Sequence, residues 1–323
     1  MSINEVRWLS ECGSTNAYAK EHFEEFGPVG AVYTTNQTAG RGRLGRSWVN
    51  AEGRALYYTA VIREPLAQPA TLPLLASLAV RDQLAQRYGV DCQIKWPNDL
   101  LLNGKKIVGI LCESVSYGFQ MQGRGIVCGI GINLAQPQSY FDTANLPNGT
   151  SLELQGAKVD LAADPQWLAE TLTDFGFDRP LYTFAREGFA PFRDEYKAAC
   201  VNLGRHVTFD LPGGGTGSGT AIDVDADGQL IVRTDSGEEK VFTGSLRPRH
   251  LWGRINFPAF QRLCGPSGPG GAFLSPCKVC GKLGFFHGFP HMVFAGQRLW
   301  KTRVSKIPEG RGAFAPSAKR RRK

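Results

Sequence analysis

The 323-residue sequence lacks both a long hydrophobic run and a secretory signal. No stretch reaches the roughly 18 consecutive apolar residues from which a membrane-spanning helix is built. Residues 1–6 contain neither a basic segment nor an apolar one, so the sequence predicts no export signal. We therefore expect neither a membrane protein nor a secreted protein.

Cysteine is scattered rather than arranged as a disulfide framework, and for most of the eight cysteines this favours reduced thiols in the cytoplasm. Cys277 and Cys280 are followed by His287 and His291, which raises the alternative of a zinc site. Six residues separate the two pairs, whereas a Cys₂His₂ finger has about twelve. The spacing therefore does not favour a zinc finger.

A surplus of positive charge is absent from most of the chain, although the formal net charge is +8. Residues 254–323 contain fourteen Lys and Arg and one acid, whereas residues 1–253 contain 23 bases and 28 acids. The final residues are rich in Gly and Pro and end in the basic cluster 319–323. We interpret residues 250–323 as a weakly ordered basic tail. Nucleic-acid binding through this tail is the non-enzymatic alternative.

Apolar periodicity predicts an α+β fold, with alternating strands and helices followed by short strands. Asn103-Gly104 lies between two apolar runs and predicts a type I′ hairpin. Asp164-Pro165 predicts the start of a helical region that extends to about Cys200. Short strands after Leu203 predict a small barrel-like domain of about five strands. We divide the chain into residues 1–200, 201–249 and 250–323.

The most distinctive stretch is residues 40–46, which contain three arginines and three glycines and precede Trp48. Arginine offers paired donors to carboxylate or phosphate, and glycine lets the backbone approach a ligand closely. The glycines also match the pattern G-x-G-x-x-G. A dinucleotide site needs a helix to open there, but the following residues indicate a loop and a strand over residues 55–62. We therefore predict a loop that wraps a small anion carrying a flat base.

Two further cations and one carboxylate complete the set of groups that a nucleoside triphosphate site needs. Lys95, Asn98 and Asp99 follow one another closely, and Lys106 lies across the predicted hairpin from them. Cations neutralise phosphates, a carboxylate can coordinate a metal, and an indole can cover a base. This inventory does not identify a second substrate.

Five motifs in this order resemble the biotin–protein ligase family. They are Ser14-Thr15-Asn16, Gln37 with residues 40–48, residues 95–99, residues 103–113 and residues 129–133. The resemblance implies a catalytic domain of class II synthetase type, with a mixed sheet flanked by helices, followed by a small SH3-like domain. The family's reaction uses ATP and Mg²⁺ to adenylate biotin and then transfers biotin to a lysine of a carrier domain.

The resemblance also implies the roles of individual residues. Biotin is expected to contact Ser14, Thr15, Asn16, Gln37, Arg41, Gly42, Arg43 and Lys106. ATP and the adenylate are expected to contact Arg41, Arg43, Arg46, Trp48, Lys95, Asn98, Asp99 and Asn133. The residues expected to act in catalysis are Arg43, Lys106 and Lys95, with Asp99 as the one candidate metal ligand.

The expected partner is the biotin carboxyl carrier domain of biotin-dependent carboxylases. Some relatives carry an N-terminal winged helix, but the catalytic pattern begins within ten residues of Met1, so operator DNA is not expected. Membrane binding is not expected either, and a homodimer is left open. The enzymatic alternative is a lipoate–protein ligase. Those enzymes have a glycine-rich turn without the Arg-Gly-Arg pattern followed by tryptophan.

Overall fold

The computed structural model describes residues 4–211 and 214–241, except for the side chains of Leu44 and Met121. The predictions about the basic tail, including the Cys277, Cys280, His287 and His291 cluster, lie outside the described residues. In the described part, no helix has the length and apolarity needed to cross a membrane.

Thirteen strands occur in the described residues. They are β1 Glu5–Trp8, β2 Val29–Thr34, β3 Gly40–Arg41, β4 Ser47–Trp48, β5 Ala55–Ile62, β6 Gln93–Lys95, β7 Asp99–Leu102, β8 Lys105–Tyr117, β9 Gly123–Asn133, β10 His206–Asp210, β11 Thr216–Val224, β12 Leu230–Thr234 and β13 Gly237–Val241.

The same described part of the chain contains six α-helices: α1 Thr15–Glu21, α2 Leu72–Tyr88, α3 Gln138–Thr143, α4 Asp164–Thr171, α5 Arg179–Glu187 and α6 Arg193–Ala199. A π-helical segment, Leu172–Asp178, joins α4 to α5. The helical region therefore begins at Asp164, with Pro165 in its first turn as the sequence predicts.

Seven strands form one mixed sheet in the order β1-β2-β5-β9-β8-β7-β6. Only β1 and β2 run parallel among its neighbouring pairs. Every residue of β5 is buried, because helices cover both faces of the sheet. Helix α2 packs on one face, and α1 with Phe23 and Phe26 packs on the other. The predicted mixed sheet flanked by helices is confirmed.

The local turns follow the chemistry of their residues. Asn103 and Gly104 have φ values of +50° and +78°, the left-handed pair that a type I′ hairpin needs between β7 and β8. Gly89 ends α2 with φ of +66°. Ser14 occupies the N-cap position of α1, but its side chain makes no cap hydrogen bond. The predicted arginine loop contains a short hairpin of β3 and β4.

The second sheet is antiparallel and contains four strands, β10 to β13, within the described residues. Side chains of the first sheet and its helices bond to it directly. The Trp96 indole nitrogen donates to the carbonyl oxygen of Gly228 at 3.0 Å, and Arg193 pairs with Asp223 at 2.6 Å. The boundaries at residues 200 and 249 stay predictions.

We expect Trp96→Phe to destabilise the protein by about 1–3 kcal/mol, because it leaves the buried Gly228 carbonyl without its donor. Urea denaturation measures this. The matched control is Trp8→Phe, since Trp8 is 51% exposed and no indole hydrogen bond is found for it among the described residues. Equal and small effects of the two substitutions would contradict the role given to Trp96.

Candidate functional site

One cavity of about 800 Å³ lies over β8 and β9, between the arginine hairpin and the β7–β8 hairpin. All fourteen residues that the sequence predicts for the site line it: Ser14, Thr15, Asn16, Gln37, Arg41, Gly42, Arg43, Arg46, Trp48, Lys95, Asn98, Asp99, Lys106 and Asn133. Its volume is typical of a site for a small organic ligand. Residues far apart in the sequence thus share one space.

The lining is strongly cationic. Among the described residues that line the cavity, five carry a positive charge and one, Asp99, carries a negative charge. Arg41, Arg43 and Arg46 make no ion pair with any carboxylate in the described ranges. Guanidinium groups without a protein carboxylate suit an anionic ligand.

Asp99 organises the two lysines. Its carboxylate lies 2.6 Å from the ammonium of Lys106 and 4.0 Å from that of Lys95. Lys95 faces Asp99 across the β6–β7 pair, and Lys106 comes from the adjoining strand β8. The carboxylate therefore holds both ammonium groups at one end of the cavity.

Arg43 is anchored by a neutral partner. Its guanidinium donates to the Asn98 side-chain oxygen at 2.7 Å, and the Asn98 amide donates to the Ile110 carbonyl at 2.8 Å. Burial lowers the pKa of Arg43; the charge of Asp99 raises it and that of Arg46 lowers it further. An approaching anion would compensate this partly desolvated charge.

The other end of the cavity is polar and uncharged. Thr15, Asn16 and Gln37 are each less than a tenth exposed and line the cavity. The Gln37 side-chain oxygen accepts the backbone N–H of Thr15 at 2.9 Å, which joins the start of α1 to the segment that follows β2. This end suits a ligand that is polar but not charged.

Asn133 also lines the cavity, but both ends of its side-chain amide already have protein partners. Its nitrogen donates to the Thr150 carbonyl at 2.9 Å, and its oxygen accepts from Gln136 at 2.8 Å. These bonds tie the end of β9 to the segments before and after α3. A contact between Asn133 and a nucleotide stays a prediction.

The Trp48 indole packs on a part of the sheet where glycines leave no side chains beneath it. Gly109 and Gly131 face each other across β8 and β9. A Cβ built on Gly109 or Gly131 would lie 2.5 Å or 2.7 Å from the indole ring. The ammonium of Lys106 lies 5.5 Å from the ring centroid, within the range of a cation–π contact. The paired glycines thus provide the place that the indole occupies.

Sequence reasoning missed several residues that shape the cavity. Gly109 and Gly131 belong to recognised motifs, but only the strand register shows that they support Trp48. The segment after β9, including Tyr140, Phe141 and Asn148, forms one wall. Asn148 accepts the backbone N–H of Lys106 at 2.7 Å, and no sequence signal indicated this pairing.

The described residues contain no group of three or more His, Cys, Asp or Glu side chains that could hold a metal ion. Asp99 is the lone carboxylate among the described residues of the cavity lining and is already paired with Lys106. These residues therefore do not fit a resident metal site. A divalent ion bound by substrate phosphates would need fewer protein ligands.

Two family models match the chain. Residues 11–133 match the biotin/lipoate A/B protein ligase family, and residues 203–245 match the biotin protein ligase C-terminal domain. The second match begins just before β10 and includes the described four-stranded sheet.

Similar proteins agree with these matches. A biotin–[acetyl-CoA-carboxylase] ligase of Paracoccus denitrificans is 33% identical over 72% of this chain and 96% of its own. The bifunctional ligase/repressor BirA of Bacillus subtilis is 32% identical over 72% of this chain and 70% of its own. The biotin protein ligase of Aquifex aeolicus in complex with biotin and ATP is 26% identical, with a TM-score of 0.61, over 75% of this chain and 98% of that one.

We expect Gly131→Ala to displace the Trp48 indole, because the new methyl group would lie 2.7 Å from a rigid ring. Acrylamide quenching of tryptophan fluorescence, measured with and without Trp48→Phe, isolates the Trp48 contribution. Trp48 should become more accessible in the Gly131 variant.

Gly27→Ala is the control, since a Cβ there would meet the Val29 carbonyl oxygen at an ordinary 3.8 Å. Unchanged quenching of Trp48 in Gly131→Ala would show that the glycine pair does not position the indole.

Proposed function

The chain belongs to the biotin/lipoate A/B protein ligase family, and we propose that it adenylates biotin with ATP and transfers the biotinyl group to a protein lysine. The observation that carries this proposal is the polarity of the cavity. One end offers uncharged hydrogen-bonding groups, and the described lining as a whole carries five cations against one carboxylate. Biotin has a neutral polar head and an acid group, and this acid group must meet a polyphosphate.

In the first step, a biotin carboxylate oxygen attacks the α-phosphorus of ATP, and the bond to pyrophosphate breaks. Two anions must approach each other, and their repulsion is reduced when cations lie between them. Arg41, Arg43 and Lys106 are proposed to contact the carboxylate and the α-phosphate, with Gly42 in the same loop. Lys95 is proposed to contact the departing phosphates. Magnesium is proposed to enter with ATP as part of this substrate.

The remaining predicted contacts are assigned to the two ends of the same molecule. The biotin head is proposed to contact Ser14, Thr15, Asn16 and Gln37. These side chains are uncharged and buried, which agrees with this role. The nucleotide is proposed to lie near Trp48, Arg46, Asn98, Asp99 and Asn133. In this assignment Asp99 acts mainly through Lys106 and Lys95, and Asn98 through Arg43.

In the second step, the amine of a carrier lysine attacks the biotinyl carbonyl carbon. The bond to the phosphate oxygen breaks, AMP leaves, and the ammonium that forms loses a proton to the solvent. The carrier is proposed to be the biotin carboxyl carrier domain of a carboxylase, as the name of the Paracoccus relative suggests. The reaction is proposed to take place in the cytoplasm.

The direct test is transfer of labelled biotin to a purified carrier domain in the presence of ATP and Mg²⁺. Calorimetry with biotin and with lipoate tests the choice of acid. Lack of transfer together with binding of lipoate alone would overturn the proposal.

The hairpin offers a matched pair of lysines for a sharper test. Lys106 lines the cavity, whereas its neighbour Lys105 is not part of the lining. We expect Lys106→Met to lower kcat/KM for transfer about 10²- to 10³-fold, the usual effect of removing one group that stabilises developing charge. Lys105→Met should stay within about twofold, because Lys105 does not line the cavity. Equal effects of the two substitutions would remove Lys106 from the reaction.

Arg43→Gly tests retention of the intermediate. It removes a guanidinium fixed by Asn98 within the cavity. We expect more free biotinyl-5′-AMP in solution, measured by chromatography after incubation with biotin and ATP without a carrier. The same amount of released adenylate as in the wild type would contradict a retention role.

A further inference from the structure

A fully buried hydroxyl lies directly behind the uncharged end of the cavity. Thr59 belongs to the central strand β5 and is 0% exposed. Its hydroxyl oxygen lies 2.7 Å from the side-chain oxygen of Asn16 and 2.8 Å from the hydroxyl oxygen of Thr15. Thr59 does not line the cavity, but it contacts two residues that do.

The Asn16 amide has a fixed orientation. Its nitrogen donates at 2.7 Å to the Glu113 carboxylate and at 3.1 Å to the Leu111 carbonyl. Burial alone would raise the pKa of Glu113, but hydrogen bonds from Lys20 and Asn16 outweigh it, and the pKa lies below its usual value. Both partners of the nitrogen therefore only accept, so the amide oxygen must face Thr59.

This orientation determines where the hydroxyl hydrogens go. The Asn16 oxygen can only accept, so it takes the single hydrogen of Thr59. The Thr15 hydroxyl then has two inward acceptors, the Thr59 oxygen at 2.8 Å and the Gln37 side-chain oxygen at 3.2 Å. In the wild type, the hydrogen of Thr15 therefore has acceptors inside the protein, and the Thr59 oxygen is the nearer of the two. The Thr15 hydroxyl then has only lone pairs to offer to a ligand.

We propose that Thr59 is a positioning residue that makes Thr15 an obligatory hydrogen-bond acceptor, so that the site selects a ligand carrying a ring N–H at this position. This inference rests on the proposed function, because it concerns the binding of the biotin head. A ligand with oxygen in place of that N–H brings an acceptor against an acceptor. A buried polar group left without a partner is the basis of strong discrimination.

The test compares biotin with its two cyclic carbamate analogues, each with one ring N–H replaced by oxygen. Binding to the full chain is measured by calorimetry. We expect the wild type to bind one of the two analogues about 10- to 100-fold more weakly than biotin, since the Thr15 acceptor stays unpaired. That analogue is the reporter.

Thr59→Val removes the hydroxyl at similar volume, so Thr15 keeps only its longer inward contact to Gln37 and can turn its hydrogen toward the ligand. We expect the biotin-to-reporter affinity ratio to fall about tenfold, the effect of about one hydrogen bond. Thr59→Ser keeps the hydroxyl and should restore the wild-type ratio. Thr59→Ala serves as the second hydroxyl-free variant if Thr59→Val does not fold.

The biotin-to-reporter affinity ratio distinguishes a positioning role of Thr59 from a general loss of binding. A parallel loss of affinity for biotin and for the reporter in the hydroxyl-free variant would overturn the inference, as would an unchanged ratio. A Thr59→Ser variant that resembles Thr59→Val would overturn it too. A wild-type chain that binds no biotin overturns the proposed function itself, whereas failure confined to the ratio leaves that function standing.

Discussion

Repulsion among like charges is the constraint on which the site depends. A pair of like charges 4 Å apart costs about 4 kcal/mol at an effective dielectric constant of 20. The described cavity lining contains five cations, and only Asp99 offsets them. Asp99 lies on β7 between Lys95 on β6 and Lys106 on β8, where backbone pairing fixes all three positions. Backbone pairing thus fixes the two lysines beside Asp99, and a bound anion would reduce the repulsion among all five cations.

The same sheet keeps the charged and uncharged ends apart. The neutral end is built from α1 and the segment after β2, which are joined through Gln37 and Thr15. The cations come from the arginine hairpin, from Lys95 on β6 and from Lys106 on β8. Strands β8 and β9 run beneath both ends, and their glycines leave room for Trp48 and for Asn16. A side chain at Gly129 would collide with Asn16, so the strand sequence also sets the shape of the neutral end.

The fold, and many of the residues that line the cavity, could be predicted from the sequence. Asn103-Gly104 and Asp164-Pro165 act locally, so their hairpin and helix start can be predicted without tertiary information. Thr59 could not be identified, because a threonine within a buried strand is typical of any sheet. Its role arises only when α1 brings Thr15 and Asn16 against it. The roles of the site residues stay predictions.

The polar side chains of the cavity differ in how many of their hydrogen-bonding groups already have protein partners. The Asn133 amide is bonded at both ends to Thr150 and Gln136, and Asn98 is similarly used by Arg43 and Ile110. These bonds fix the orientation of each amide and leave it one N–H and one lone pair. The arginines differ, because they make no ion pair in the described ranges and retain donors toward the cavity. We therefore expect ligand binding to depend most on the arginines, while the bonded asparagines fix the positions of their neighbours.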